Sequence, residues 1–283
     1  MIRIFPIFHY GITEFEKVDV KTLVSDASVL FIEETGDSNF TEFYYNRIAN
    51  GARPDTRSFG QHTNFWIKFE RYLYNSKKQI HVEHPSTALK STDLEERLPY
   101  GFCMAYVKGK PEDAFVMALN FFHGYANRNI QREREMVKAI SEIEAQHEDG
   151  IVLAVLGEMH SLHVADALQK LGCKVEITAG AEKQILFFRE AYDAFHSGSE
   201  PDKLTIARAV PETLLRTYLS DLLAYDIIEG GRIANDFARK LDYESSRQLS
   251  RKVGNINKGA DLDVHDATAN LVYLLEEQGL LKL

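Results

Sequence analysis

Only two cysteines, Cys103 and Cys173, occur in 283 residues. Nothing resembles a CxxC pair, so neither a disulfide framework nor a zinc ribbon is indicated. An excess of basic charge is also missing. The formal net charge of −9 argues against general affinity for nucleic acid or an anionic membrane. There is no internal repeat and no low-complexity tract. The opening stretch, MIRIFPIFHYG, holds one basic residue and too few apolar ones for a signal-peptide core or a membrane span. The expectation is a cytoplasmic protein with neither nucleic acid nor membrane as a partner.

What the chain does have is alternation. Ile151–Leu156 is a continuous apolar run, as expected of a parallel strand covered on both faces. Ser161–Leu171 follows with Leu162, Ala165, Leu168 and Leu171 at helical spacing. Gly172 stands where a left-handed residue ends a helix, and Cys173–Thr178 reads as a strand. This is a βαβ unit. Ser28–Glu33 and Gln79–Glu83 read as further strands, and so does Ile2–Phe8. Pro6 counts against a central place for the last of these, because proline removes a ladder donor. An edge position or an irregularity is expected there.

Helices fill the gaps. Phe40–Ala49 and Asn64–Tyr74 are aromatic-rich, and Pro111 opens another helix with acidic residues in its first turn. Gln131–His147 is amphipathic, with Met136, Ile140 and Ile143 as its stripe. The pattern predicts an α/β fold: a mostly parallel sheet flanked by helices, with a C-terminal all-helical extension. His196–Lys203, HSGSEPDK, resembles a linker. It divides an α/β domain at 1–198 from a helical region at 199–283, where Pro211–Ile228 and Val264–Gln278 read as helices.

The strand ends share one chemistry. The first ends in His9, the second in Glu33 with Glu34 next, and the third in Glu83 followed by His84. The strand at Ile151 ends in Gly157-Glu158-Met159-His160. Open α/β sheets bind ligands beyond the carboxyl ends of their strands. Imidazole and carboxylate together suit a divalent metal: Zn, Mn, Co or Fe. Arg132 lies four residues before Met136 and continues the apolar stripe, whereas Arg134 falls on the polar side. An inward arginine calls for an anion, either a site carboxylate or a developing oxyanion. Taken singly, each residue has a plain structural reading as a loop histidine or a helix cap. The case rests on four strand ends agreeing.

These motifs resemble the TraB/TIKI family and, more distantly, the ChaN and erythromycin-esterase-like proteins. The family pattern has a strand ending Gly-x-x-His, a second ending (I/V)-E and a third ending in glutamate. A helix with Arg-(Asn/Asp)-x-x-Met and a strand before a second Gly-x-x-His complete it. Here PIFH ends at His9, LFIEE contains Glu33, IHVEH contains Glu83, REREM begins at Arg132, and VLGEMH ends at His160. Pro6 stands where the pattern has glycine, and Glu133 where it has Asn or Asp. The resemblance covers Ile2 to Thr178. It implies a metal-dependent hydrolase acting on a peptide or ester bond. His9 and His160 would be the metal ligands, Glu33 or Glu83 the base, and Arg132 the oxyanion partner. Glu158 would be a ligand, a base or an orienter of His160. The alternative is a non-catalytic binding or regulatory protein that uses the same pocket to sequester a peptide or small ligand.

The C-terminal region allows two further readings. Arg232–Lys258 carries seven Lys/Arg against three acids. A DNA-binding helix pair is conceivable, but a solvated helical face is the stronger expectation. Leu214, Leu215, Tyr218, Leu222 and Leu223 form a stripe that would suit self-association into a homo-oligomer, or packing within the chain.

Overall fold

The structure, a computed structural model, describes residues 1–7, 19–33, 38–53, 69–84, 101–147, 149–178, 186–221 and 227–281. In chain order the elements are β1 (Ile2–Ile7), α1 (Val20–Asp26), β2 (Val29–Ile32), α2 (Ser38–Ala49), α3 (69–73), β3 (Gln79–Val82), α4 (101–107) and α5 (Pro111–Gln146). They continue as β4 (Val152–Gly157), α6 (Glu158–Lys170), β5 (Val175–Ile177), α7 (Leu186–His196), α8 (Lys203–Asp221), α9 (Ile227–Ala238), α10 (Tyr243–Ile256) and α11 (Val264–Glu277). None of the described helices is long and apolar enough to cross a membrane.

Two compact units result. A sheet unit takes residues 1–91 and 129–182, and a helical unit takes 92–128 and 183–283. The division is discontinuous, unlike the single boundary expected at residue 198. Residues 92–128 and the helix α7 group with the C-terminal helices, and the expected linker around Gly198 is a turn between α7 and α8. Helix α5 gives its first half to one unit and its second half to the other. The two helical stretches read around Pro111 and Gln131 are therefore one helix. Nothing between them breaks it: there is no proline, and Gly124 sits in open space.

In the sheet unit all pairings are parallel, in the order β3-β2-β4-β1-β5. Side chains alternate between two cores. Leu30, Ile32, Ile80, Val82, Leu153 and Val155 pack with α1, α2 and α3. Val29, Phe31, Val152, Ala154 and Leu156 pack on the other face with Met136, Ile140 and Ile143 of α5 and Val164, Ala165 and Leu168 of α6. The same alternation sends the residues after Ile32 and Val82, which are Glu33 and Glu83, toward the α5 face.

Strand β1 is interior, between β4 and β5, so Pro6 does not mark a sheet edge. The register explains why it is tolerated. Ile2 N–H donates to Lys174 O (2.9 Å), and Ile4 O accepts from Thr178 N–H (3.0 Å), so the even residues of β1 face β5. Pairing with β5 ends at Ile4–Ile177. The donor that Pro6 lacks would have pointed past the end of that strand. The other expected strands match within about two residues. The helix read at Ser161–Leu171 begins earlier, at Glu158, and the helix read at Pro211–Ile228 begins at Lys203, with Ile228 belonging to α9. Phe8, residues 64–68, Leu222 and Leu223 lie outside the described residues.

Glu70 on α3 is a buried carboxyl without an ion-pair partner among the described residues. It is 1% exposed, and neither carboxylate oxygen has a hydrogen-bond partner of acceptable geometry among the described residues. Burial pushes its pKa up to about 7, and the nearby Tyr44 hydroxyl offsets only part of that.

The helical unit has one core, including Phe102, Tyr106, Phe122, Val210, Leu215, Phe237, Val253 and Leu271. Leu214 and Leu215 are buried in it, with Tyr218 packed against it, so this part of the leucine stripe is used within the chain. Helix α8 begins at Lys203, not at Pro211, because Asp202 accepts from Thr205 N–H (2.7 Å). Pro211 is thus interior and cannot donate to Ala207 O. Ser246 Oγ takes that place, donating to Ala207 O at 2.6 Å. The basic stretch is partly ion-paired and otherwise exposed: Arg232 pairs with Glu229 and Asp236, Arg247 with Glu112 and Glu244, and Arg251 with Glu112, while Arg239, Lys240, Lys252 and Lys258 face solvent. That matches a solvated face.

Two predictions follow from packing and burial. A Cβ on Gly254 would collide with the Cα and N of Gly109. Gly254→Ala should therefore lower stability by about 1–3 kcal/mol, read from the denaturation midpoint. Glu70 holds its proton more tightly in the folded state than in the unfolded chain. Its contribution is full below about pH 4.5 and is lost as pH rises through about 7. Denaturation across that window should show a fall of up to about 3 kcal/mol in wild type that Glu70→Gln removes.

Candidate active site

The site is built at the carboxyl ends of three adjacent strands. Glu33 N–H donates to Val155 O (3.0 Å), and Glu83 N–H donates to Ile32 O (2.8 Å), which extends the ladder by one residue on each strand. The two glutamates therefore stand side by side, on the face that α5 covers. Arg132, one turn before the buried Met136, reaches both. Its Nε donates to Glu83 Oε1 (3.0 Å), and its Nη2 donates to Glu83 Oε2 (2.7 Å) and Glu33 Oε1 (3.2 Å). The remaining oxygen, Glu33 Oε2, accepts from Gly157 N–H at 2.5 Å. Arg132 Nη1 makes no hydrogen bond among the described residues.

His160 enters from the first turn of α6. Its Nδ1 lies 2.9 Å from Glu133 Oε1, and its Nε2 lies 3.5 Å from Glu33 Oε1. With Glu133 ionised, its carboxylate can only accept, which makes Nδ1 the donor of that bond. All five side chains are at most 5% exposed. Glu33, Glu83, Arg132, Glu133 and His160 thus form one buried polar cluster. It holds three carboxylates against one guanidinium and one imidazole among the described residues.

The charges act on one another in identifiable ways. Burial pushes the Glu83 carboxyl above its ordinary range, and the bonds and charge of Arg132 pull it only part of the way back. Burial would lower the Arg132 pKa, but the charge of Glu33 and the bonds to Glu83 and Glu33 more than reverse this. The guanidinium stays charged.

Of the residues singled out in the sequence, Glu33, Glu83, Arg132 and His160 come together. Arg134 is exposed, as its place on the polar side implied. Glu158 opens α6, half-buried, two residues before His160. His84 is exposed and pairs with Glu42 (3.0 Å) instead. His9 and Glu34 lie outside the described residues. Glu133 was not among the expected site residues, yet it is the residue that holds His160. Its signal was available: it lies three residues before Met136 and seven before Ile140, on the same stripe as Arg132.

The donor set suits a metal in part. A histidine whose far nitrogen is held by a carboxylate is the usual form of a metal-ligating imidazole. Glu33 Oε1 stands within reach of anything that His160 Nε2 binds. No group of three or more His, Cys, Asp or Glu is arranged to hold a metal ion among the described residues. Much of the reason is visible: Arg132 occupies both oxygens of Glu83 and shares one of Glu33. Comparison with protein-family models, with curated proteins and with solved structures finds no match.

Arg132→Lys should expose the role of the fork. Lysine keeps the charge but cannot bond two carboxylates from fixed directions. A loss of about 1.5–3 kcal/mol is expected in urea denaturation. Arg134→Lys, on the exposed side of the same turn, should stay within about 0.5 kcal/mol of wild type.

Proposed function

We propose that this protein is a metal-dependent hydrolase that cleaves a peptide or ester bond. The observation that carries this reading is the placement of His160: it is fixed by Glu133 through Nδ1, and its Nε2 is turned toward Glu33 Oε1. His160 would hold a divalent cation (Mn, Co, Zn or Fe), which when bound lowers the pKa of a water toward neutrality. Glu33 Oε1, 3.5 Å from His160 Nε2, would accept a proton from the attacking water. Arg132 Nη1 is the guanidinium atom left to meet the developing oxyanion. Glu83 acts as a positioning residue, since both its oxygens are spent on Arg132. Glu158 flanks His160 as a further candidate base or orienter. His9 is the candidate second ligand from the sequence pattern.

A second reading is a non-catalytic protein that binds a peptide or small molecule in the same place. The Glu33–Arg132–Glu83 network favours it, because an ion pair that occupies both oxygens of Glu83 also serves purely to hold strand ends together. The protein's two cysteines, Cys103 and Cys173, are unpaired among the described residues, which suits the reducing cytoplasm.

The test is a screen against peptide and ester libraries with each metal in turn, repeated with His160→Gln. Glutamine keeps a donor for Glu133. Metal-dependent hydrolysis should be found in wild type and lost in His160→Gln, while the melting temperature in chelator changes little. Leu156→Ala should behave in the opposite way: about 2–5 kcal/mol less stable, with activity per folded molecule retained. No turnover with any metal, together with a melting temperature raised by a bound peptide, would favour the binding protein instead.

A further inference from the structure

We infer that Asn129 is a recognition residue of this site, and that the group it receives is a peptide-type amide rather than an ester. This rests on the site proposed above and narrows its substrate class. Asn129 is fully buried, and neither atom of its carboxamide has a hydrogen-bond partner among the described residues. Buried polar atoms are paired in the large majority of cases, and a carboxamide left unpaired at both ends calls for a reason.

Position supplies one. Asn129 lies three residues before Arg132 and four before Glu133, and seven before Met136. That spacing puts all four on one face of α5. It is the face that delivers Arg132 to Glu33 and Glu83, and Glu133 to His160. Arg132 Nε and Nη2 and Glu133 Oε1 are committed to these partners, whereas the Asn129 carboxamide is uncommitted.

Chemistry supplies the class. A carboxamide offers a donor and an acceptor side by side. A peptide bond offers N–H and C=O to match, whereas an ester has no N–H to give to the Asn129 oxygen. Sites built to bond an N–H discriminate strongly against an analogue that lacks it, because their own polar atom is left unpaired. Asn129 has no solvent contact, so the amide reaches it only as the packing over it opens.

The experiment uses the full chain and two small probes, N-acetylglycine N′-methylamide and N-acetylglycine methyl ester. Each is titrated while the side-chain NH2 resonance of Asn129 is followed by NMR. The amide probe should shift that resonance and bind about tenfold more tightly than the ester. Asn129→Leu should bind the two probes alike and melt no lower than wild type, since it removes an unpaired polar group. Asn129→Ser, a smaller change, should likewise lose the preference. The inference is overturned if the NH2 resonance does not move up to the solubility of the probe. Unchanged discrimination in both variants, or destabilisation of both by many degrees, also overturns it. Turnover is not read, so a failure of the hydrolase reading would show up separately.

Discussion

Among the described residues Arg132 is the one guanidinium set among three buried carboxylates, and the rest of the site depends on it. Glu33 and Glu83 stand side by side at the ends of neighbouring strands, each just past the paired Ile32 and Val82, facing the same helix. Two carboxylates that close and that buried repel each other and lose their hydration. The planar fork of an arginine answers both from one position, which a lysine could not do. The upward displacement of Glu83 is the residue of that contest. By bridging β2 and β3 to α5, the same contact sets the register of the helix on the sheet, and so places Glu133 where it can hold His160.

Much of this was legible in the sequence because it depends on short periods. The apolar run Ile151–Leu156 identified β4, and strand ends identified Glu33, Glu83 and His160. The spacing to Met136 separated an inward Arg132 from an outward Arg134. What was not legible depends on contacts between elements. That Glu133 meets His160 is a matter of how α5 lies against α6, and no local pattern encodes it. That Pro6 sits in an interior strand follows from where β5 happens to end. Pro211 could be mistaken for a helix start because its compensation, Ser246 Oγ on Ala207 O, comes from a helix some forty residues later. The division into units was hidden for a similar reason: α5 is shared between both.

The same cluster explains why two functional readings compete. A closed network of ion pairs is costly to bury, and replacing such a network with apolar residues is often neutral or stabilising. Retaining it needs a reason. The His160–Glu133 pair, directed at Glu33, supplies one in chemistry: an imidazole held in one tautomer with one nitrogen turned to a carboxylate. The unpaired carboxamide of Asn129 on the same helix face adds another in recognition. Both are features on which the proposed function relies.

The claim that these residues form one energetic unit is most directly tested by a double-mutant cycle. Stability is measured for wild type, Arg132→Met, Glu83→Leu and the double variant. Arg132→Met leaves Glu33 and Glu83 without their guanidinium, and Glu83→Leu leaves Arg132 with Glu33 alone. Each should cost about 3–5 kcal/mol, whereas the double variant, in which Glu33 keeps the Gly157 N–H, should cost less than their sum. A coupling of several kcal/mol is the expected result. Losses that add to within about 0.5 kcal/mol would show that Arg132 and Glu83 act independently, and would contradict the account.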